Sequence, residues 1–515
     1  MSGQPVIPSS PYLLTAADKI TITSFLLLAL LGGSFLALFG PVSGGLLILL
    51  MMGVSLFISK NIILYSGIFM ALVVLGSIQL YYPQFGFIRW LTPLITGLLL
   101  IHIILERFQI RRSTLYIPPI LRWALLFMIT ALLGSVINWG GGWNFIQGIK
   151  LYFQIWGLLF GLALINWDPK TLNRSLKLLF LIALIQILFV LHQYLIIAPE
   201  REGIDSLVAV DVVAGSFGAE YFGSGKNMVL SSYLITILAG LSALWREKAI
   251  KGYLLLFTLP FLLIPLFMNE TKFALFLLLL VLVYVFRSDV IKKPLRFLLV
   301  VFIGLILTFG LLTSYSLQFG KGSSIKETAL LTVESNVEDH PYSSIRLNRS
   351  SVLTFWAQQH GVDNITETVL GHGLGSAHES TESVVTSALS LATSRYDGYG
   401  IGYSSISSLL WDTGLLGTFM ILAMFISAFL AARNLGKHFI GDSWQAGIFD
   451  GMQAALLVNV LLLFHNNYFV QDPVYQTIVY FVFGYIAFWR IRISEYQSSS
   501  MHSKIHKYGV QFKAG

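Results

Sequence analysis

The sequence predicts an all-α polytopic integral membrane protein, with about 12–14 transmembrane helices and one large, partly helical extracytoplasmic loop. Three observations predict it. Of 515 residues, 56% are apolar and only 11% are charged, whereas a soluble surface needs about 25% charged residues. The apolar residues fall in runs of roughly 20, the helix length that crosses a hydrocarbon layer about 30 Å thick. Lysines and arginines, finally, gather in alternate connections. The same figures exclude several soluble domains, disorder, collagen and a disulfide scaffold. The absence of cysteine removes thiolate nucleophiles and Cys-ligated metals.

Taken in order, the spans fall near 22–39, 42–58, 62–80, 87–105, 119–138, 145–166 and 175–197, then 228–245, 252–268, 272–286, 295–314, 404–431, 446–465 and 473–490. The first two are short enough to form one helical hairpin. Residues 1–18 lack the basic patch and small-residue cleavage site of a secretory signal. Numbering the connections gives a sidedness test: 23 of the 33 lysines and arginines lie on the side of both termini and nine on the other. Basic residues stay cytoplasmic, so both termini are expected inside and the long connections outside. The net charge of +8 is then a topology signal, and no nucleic-acid partner is expected. The chain divides into an N-terminal bundle (1–314, with an outer loop at 198–227), a large outer loop (315–403), and C-terminal helices with a tail (404–515).

The outer loop 315–403 carries nine acids, five bases and four histidines, and loops this long in compact architectures are functional or disordered. Val352, Phe355 and Trp356, then Val385, Ala388, Leu389 and Ala392, keep helical spacing, so a folded cap is expected. Arg346 and Arg349, spaced i,i+3, would share a face on a helix and offer donors suited to phosphate oxygens. Solvated charges balancing an acidic loop are the plainer reading. Gly371-His372-Gly373-Leu374-Gly375-Ser376 is neither a Rossmann fingerprint nor a P-loop. Its glycines would admit a ligand close to the backbone, or simply form a tight turn. His340, His360, His372 and His378 with Glu379 match no compact metal-ligand spacing, so no metal is expected. A histidine general acid or base fits better. Among charges near the membrane, Lys272 reads as a partner for an anionic head group or as a lysine snorkelling beside Glu270. Lys150 reads as paired within the bundle. Asp412 lies about two turns into its span and Asp450 begins another; such charges are costly and usually functional. His465-Asn466-Asn467 closes a span on the outer side.

Together these features resemble the O-antigen ligase/polymerase family of bacterial envelope glycosyltransferases. The order that carries the resemblance is Arg346…Trp356, then Gly371-His372-Gly373-Leu374-Gly375-Ser376, then Leu409-Leu410-Trp411-Asp412-Thr413-Gly414-Leu415-Leu416-Gly417 opening a span. Upstream, Gly215-Ser216-Phe217 followed by Asn227 is similar to the family's glycine/phenylalanine…asparagine segment. Two positions depart from the pattern: Lys272 stands where members commonly carry arginine, and Tyr403 and Ser404 stand where ligases carry a His-Asn pair. The second departure favours a polymerase over a ligase.

The resemblance implies polymerisation of undecaprenyl-pyrophosphate-linked repeat units at the outer face of the bacterial plasma membrane. It implies Arg346, Arg349 and Lys272 on the pyrophosphate, and His372, His378 or His465 as the base, with Asp412 among the catalytic residues. Asn227, Gly371, Gly373, Gly375, Tyr403 and Ser404 would line the substrate. The implied partners are the lipid-linked donor and acceptor, membrane lipid, a chain-length regulator and a flippase. The leaving group carries its own energy, so no cofactor is expected. The alternatives are a ligase acting on a lipid or protein acceptor and, in another class, a lipid-linked oligosaccharide flippase. Against the flippase, the sequence has no detectable two-halved repeat.

Overall fold

The computed structural model describes residues 59–83, 90–109, 116–139, 142–202, 204, 208–221, 223, 225–269, 271–319, 347–362, 364–378 and 390–509. The apolar stretches 22–39 and 42–58 lie outside the described residues, as do Arg346, His340, Glu270, Glu379 and most of the 385–392 segment. The other twelve stretches all fall in helices, and among the described residues there is no strand. The chain is an all-α polytopic membrane protein.

The long elements are α1 (Lys60–Tyr81), α2 (Leu91–Gln109), α3 (Pro119–Ile137), α4 (Gly142–Phe153) with α5 (Trp156–Leu164), and α6 (Pro169–Glu200). Then come α7 (Asn227–Arg246), α8 (Gly252–Met268), α9 (Lys272–Val285), the single turn α10 (Asp289–Lys292) and α11 (Pro294–Phe319). The segment between α11 and the C-terminal helices, here called the cap, holds α12 (Ser351–Gln359), α13 (Ile365–Leu370) and α14 (Leu391–Ser394). The chain closes with α15 (Ser405–His438), α16 (Ser443–His465), the turn α17 (Tyr468–Gln471) and α18 (Pro473–Gly509). Among the described residues, seven helices are long and apolar enough to cross a membrane on their own; α4 and α5 pass the same test only together, as a pair bent by 40°.

Helix starts follow local chemistry. Pro119 and Pro169 occupy first-turn positions, where a missing N–H costs nothing. Asp168, Asp442 and Ser404 cap α6, α16 and α15 by accepting from backbone N–H groups of the first turn. Packing rests on small residues, as expected where lipid supplies no hydrophobic drive between helices. A Cβ on Gly451 of α16 would lie 2.7 Å from the Gly240 Cα of α7, so these two backbones touch.

Two expectations need correcting. The stretch 145–166, read as one span, is two helices bent by 40° at Gln154–Ile155, where Thr96 Oγ1 bonds the Gln154 carbonyl at 3.3 Å. Arg349 does not ride on a helix with Arg346. It sits in a turn before α12, because the Asn348 side chain accepts from the Ser350 and Ser351 amides (2.9 and 2.7 Å) and starts the helix only at Ser351.

The connection after α6 is folded into the bundle rather than left on its surface. Gln193, in a π-helical turn of α6, accepts from the Ala214 and Gly215 amides, and Gln186 accepts from the Ser216 amide. Ser216 Oγ donates to the Leu72 carbonyl (2.5 Å) inside a second π-turn in α1, where the widened backbone frees acceptors. Arg201 is buried and ties the same loop together through the Ala209 and Gly223 carbonyls. This brings Lys226 and Asn227 to a fixed place at the start of α7.

Candidate functional site

Three groups of residues singled out in the sequence resolve into three different environments. The first is the loop 371–378. Gly371 has φ +74°, and a Cβ there would lie 2.4 Å from the Asp412 carbonyl carbon. At Gly375 (φ +87°) it would lie 2.3 Å from the Asn144 carbonyl oxygen. The close approach these glycines permit is therefore to the protein's own backbone in α4 and α15. The His372 and Gly373 amides donate to the Trp411 and Asp412 carbonyls (2.8 and 3.1 Å), and Leu374 N donates to Ser135 Oγ. Asn138 Nδ2 donates to the Gly371 carbonyl.

Asp412 is 2% exposed. Its Oδ1 accepts from Ala377 N (2.7 Å) and its Oδ2 from the Tyr152 hydroxyl (3.0 Å). A carboxylate held this way clamps the loop to α4 and α15. Two residues later Gly414 (φ +65°, ψ −168°) breaks α15 so that the backbone of Val369 and Gly371 can fit against it.

The second environment is an aromatic cage in the cap. Phe355, Trp356, Tyr396, Tyr399 and Trp411 surround two histidines. His360 stacks on Trp356 (4.5 Å between ring centroids) and His372 on Trp411 (5.5 Å). Their Nε2 atoms are 2.9 Å apart, and His372 Nδ1 faces Glu367 Oε2 at 3.9 Å. Burial, opposed by Glu367 and assisted by His360 and Arg395, lowers the His372 imidazole to about 4, and burial lowers His360 as well. Both rings are neutral at neutral pH, and a neutral imidazole can take a proton.

The third environment lies where α7, α9, α15, α16 and α18 meet, and its hub is His465-Asn466-Asn467-Tyr468-Phe469-Val470-Gln471-Asp472. Arg349 Nε donates to the His465 carbonyl (2.6 Å), and its guanidinium lies 5.0 Å from the centroid of the Tyr403 ring. Burial lowers the Arg349 pKa from its ordinary value, though such a group stays charged. The His465 ring stacks on Phe273, 4.3 Å away, one residue after Lys272. Lys272 opens α9; its side chain is outside the described residues. Lys226 pairs with Asp472 at 2.5 Å, and Asp472 also caps α18 through Tyr475 N. Asn269 Nδ2 donates to Ser231 Oγ. Around this hub, Asn227 Oδ1, Asn269 Oδ1, Thr271 Oγ1 and Asn467 Oδ1 are buried without a hydrogen-bond partner among the described residues. Most buried polar groups are bonded, and of the eighteen unpartnered side-chain atoms among the described residues four belong to residues at or beside this hub.

The structure therefore brings Arg349, Tyr403, His465 and Asn227 together, with the backbone of Lys272. It leaves His372 in the cage, joined to the hub by no contact among those described. Ser404, fully buried, serves as the cap of α15. His378 touches the hub from below, where its Nδ1 meets Gln471 Nε2 at 3.2 Å. Burial, then Lys150, lowers its pKa. Lys150 itself stands 4.1 Å over the Trp90 ring. Lys226, Tyr468, Asp472 and Glu367 went unread in the sequence. Only Lys226 gave a local signal, as the neighbour of Asn227. At the opposite end of the bundle Asp450 is accounted for by ion pairs to Arg246 (2.9 Å) and Arg287 (2.7 Å).

Compared with family models and with curated proteins, the chain matches none.

Proposed function

We propose that this chain is a membrane glycosyltransferase that polymerises undecaprenyl-pyrophosphate-linked repeat units into surface polysaccharide. Its site is the hub at Arg349 and His465–Asp472. The observation that carries this reading is the convergence there of two fixed cations, Arg349 and Lys226, with four orphaned buried polar atoms and the start of α9 at Lys272. On this reading the chain sits in the bacterial inner membrane with both termini cytoplasmic. The cap and the hub face outward, where lipid-linked glycans are presented.

The chemistry asked of the site is modest. The acceptor hydroxyl attacks the anomeric carbon of the donor, a C–O bond forms, and the bond to pyrophosphate breaks with its electron pair on the phosphate oxygen. Arg349, with Lys272 and Arg346, stabilises that developing charge, and preorganised cations in a desolvated site do so without reorganisation. Lys226 is held by Asp472, so it serves as a structural cation until a competing anion arrives. His372 is the base. Its neutral imidazole takes the hydroxyl proton.

A deletion strain whose surface glycan is sized on a gel tests the reading. Loss of long chains with single capped units retained is the expected result. Long chains that accumulate unattached would make the protein a ligase, and an unchanged glycan would end the proposal.

A further inference from the structure

The cage contains a pair of histidines whose proton positions follow from donors and acceptors once His360 is neutral, as its burial makes it. His360 Nδ1 lies 2.8 Å from the Trp356 carbonyl oxygen. A carbonyl only accepts, so Nδ1 carries a proton. With His360 neutral, its Nε2 is then a lone pair, and the contact of 2.9 Å to His372 Nε2 requires the proton there to belong to His372. That leaves His372 Nδ1 as the basic nitrogen, and Nδ1 is the atom that faces the Glu367 carboxylate.

We infer that Glu367 and His360 are positioning residues for His372: His360 fixes its tautomer so that Nδ1 takes the proton, and Glu367 stabilises the imidazolium that results. The inference rests on the glycosyl-transfer reading for the reaction it serves, but the proton positions do not. In the transfer step the acceptor hydroxyl loses its proton to His372 Nδ1, and the imidazolium is held between Glu367 and His360. The proton returns to solvent through Glu367, whose side chain is 41% exposed. The groups facing His372 come from every element around it. Glu367 of α13 favours the charged form, while His360 of α12 and Arg395, just after α14, oppose it. Trp411 of α15 covers one ring face.

Nitrogen-15 NMR of the full-length protein, labelled at histidine and held in detergent, reads the tautomers directly. We expect His360 as the Nδ1–H form and His372 as the Nε2–H form near neutral pH. In Glu367→Gln we expect His372 to titrate at lower pH than in the parent. Elongation by the same variant should fall about ten-fold or more in kcat at neutral pH, with KM for the lipid-linked substrate unchanged. Its rate should change with pH differently from that of the parent. His360 in the Nε2–H form, or a His372 titration that Glu367→Gln leaves in place, overturns the inference. So does a parent-like kcat in Glu367→Gln. If the tautomers and the titration are as assigned but the parent makes no polymer, the proton positions stand and glycosyl transfer is wrong.

Discussion

The loop 371–378 and the hub at 465–472 treat buried polarity in opposite ways. In the loop, seven of the eight amides from Gly371 to His378 donate to a group of the protein, and Asp412 accepts from Ala377 and Tyr152. At the hub, Asn227, Asn269, Thr271 and Asn467 each keep a buried oxygen without a partner among the described residues, next to Arg349 and Lys226. The loop contains the family-like motif, yet its interactions close on themselves. The hub has little motif, and its interactions are left open. The glycines of this stretch therefore serve backbone packing, while the unpartnered polar atoms lie a few side chains away, on residues that the fold gathers.

Breaking the loop should cost the most. Gly371→Val adds a β-branched side chain at a left-handed φ against the Asp412 backbone. The backbone term alone is on the order of 1–3 kcal/mol, and the clash adds to it. Thermal unfolding in detergent should show a protein that folds poorly or not at all. At the hub, Arg349→Ala should lower elongation about 100- to 1,000-fold, the size of losing one preorganised donor to a developing anion, with little change in Tm. Asp412→Ala should behave the other way, lowering Tm through the Ala377 amide and the Tyr152 hydroxyl left without an acceptor, at about 1–3 kcal/mol each. Any loss of activity should follow that loss of fold. A variant pair with these effects reversed would break the distinction between clamp and site.

Acid should act on the cap. His360, His372 and His378 are all buried as neutral rings with lowered pKa values. The unfolded chain takes up protons near the ordinary histidine value of about 6.5, while folded His372 resists until about 4. Stability held by these rings is thus complete above about 6.5 and is lost as pH falls toward 4. Tryptophan fluorescence from Trp356 and Trp411 should report loosening of the cage across that window. The smallest effect is expected for Trp90→Leu, which removes a cation–π contact to Lys150 of about 0.5–1 kcal/mol.

How far the sequence reached follows the range of the interactions. Twelve apolar runs are helices because each run is long enough to decide its own state, and Pro119, Pro169 and Asp442 mark starts that local chemistry sets. The bend at Gln154–Ile155 and the break at Gly414 were not legible. Neither has a proline, and each is imposed by a neighbour, Thr96 in one case and the Val369–Gly371 backbone in the other. Asp412 was read as a catalytic charge because a carboxylate in a span is costly, but nothing local says that the carboxylate meets an amide 35 residues upstream. Arg349 and His465 were both legible as residues. Their meeting, across 116 positions, was not, and neither was the pairing of Lys226 with Asp472.

The central claim is that the hub, and Arg349 in particular, transfers glycan from a lipid pyrophosphate. The most direct test incubates purified protein in detergent with an undecaprenyl-pyrophosphate oligosaccharide and sizes the lipid-linked product. A ladder from the parent, and none from an Arg349→Ala variant with the parent's Tm, is the predicted result. No ladder from the parent, or an equal ladder from Arg349→Ala, would contradict it.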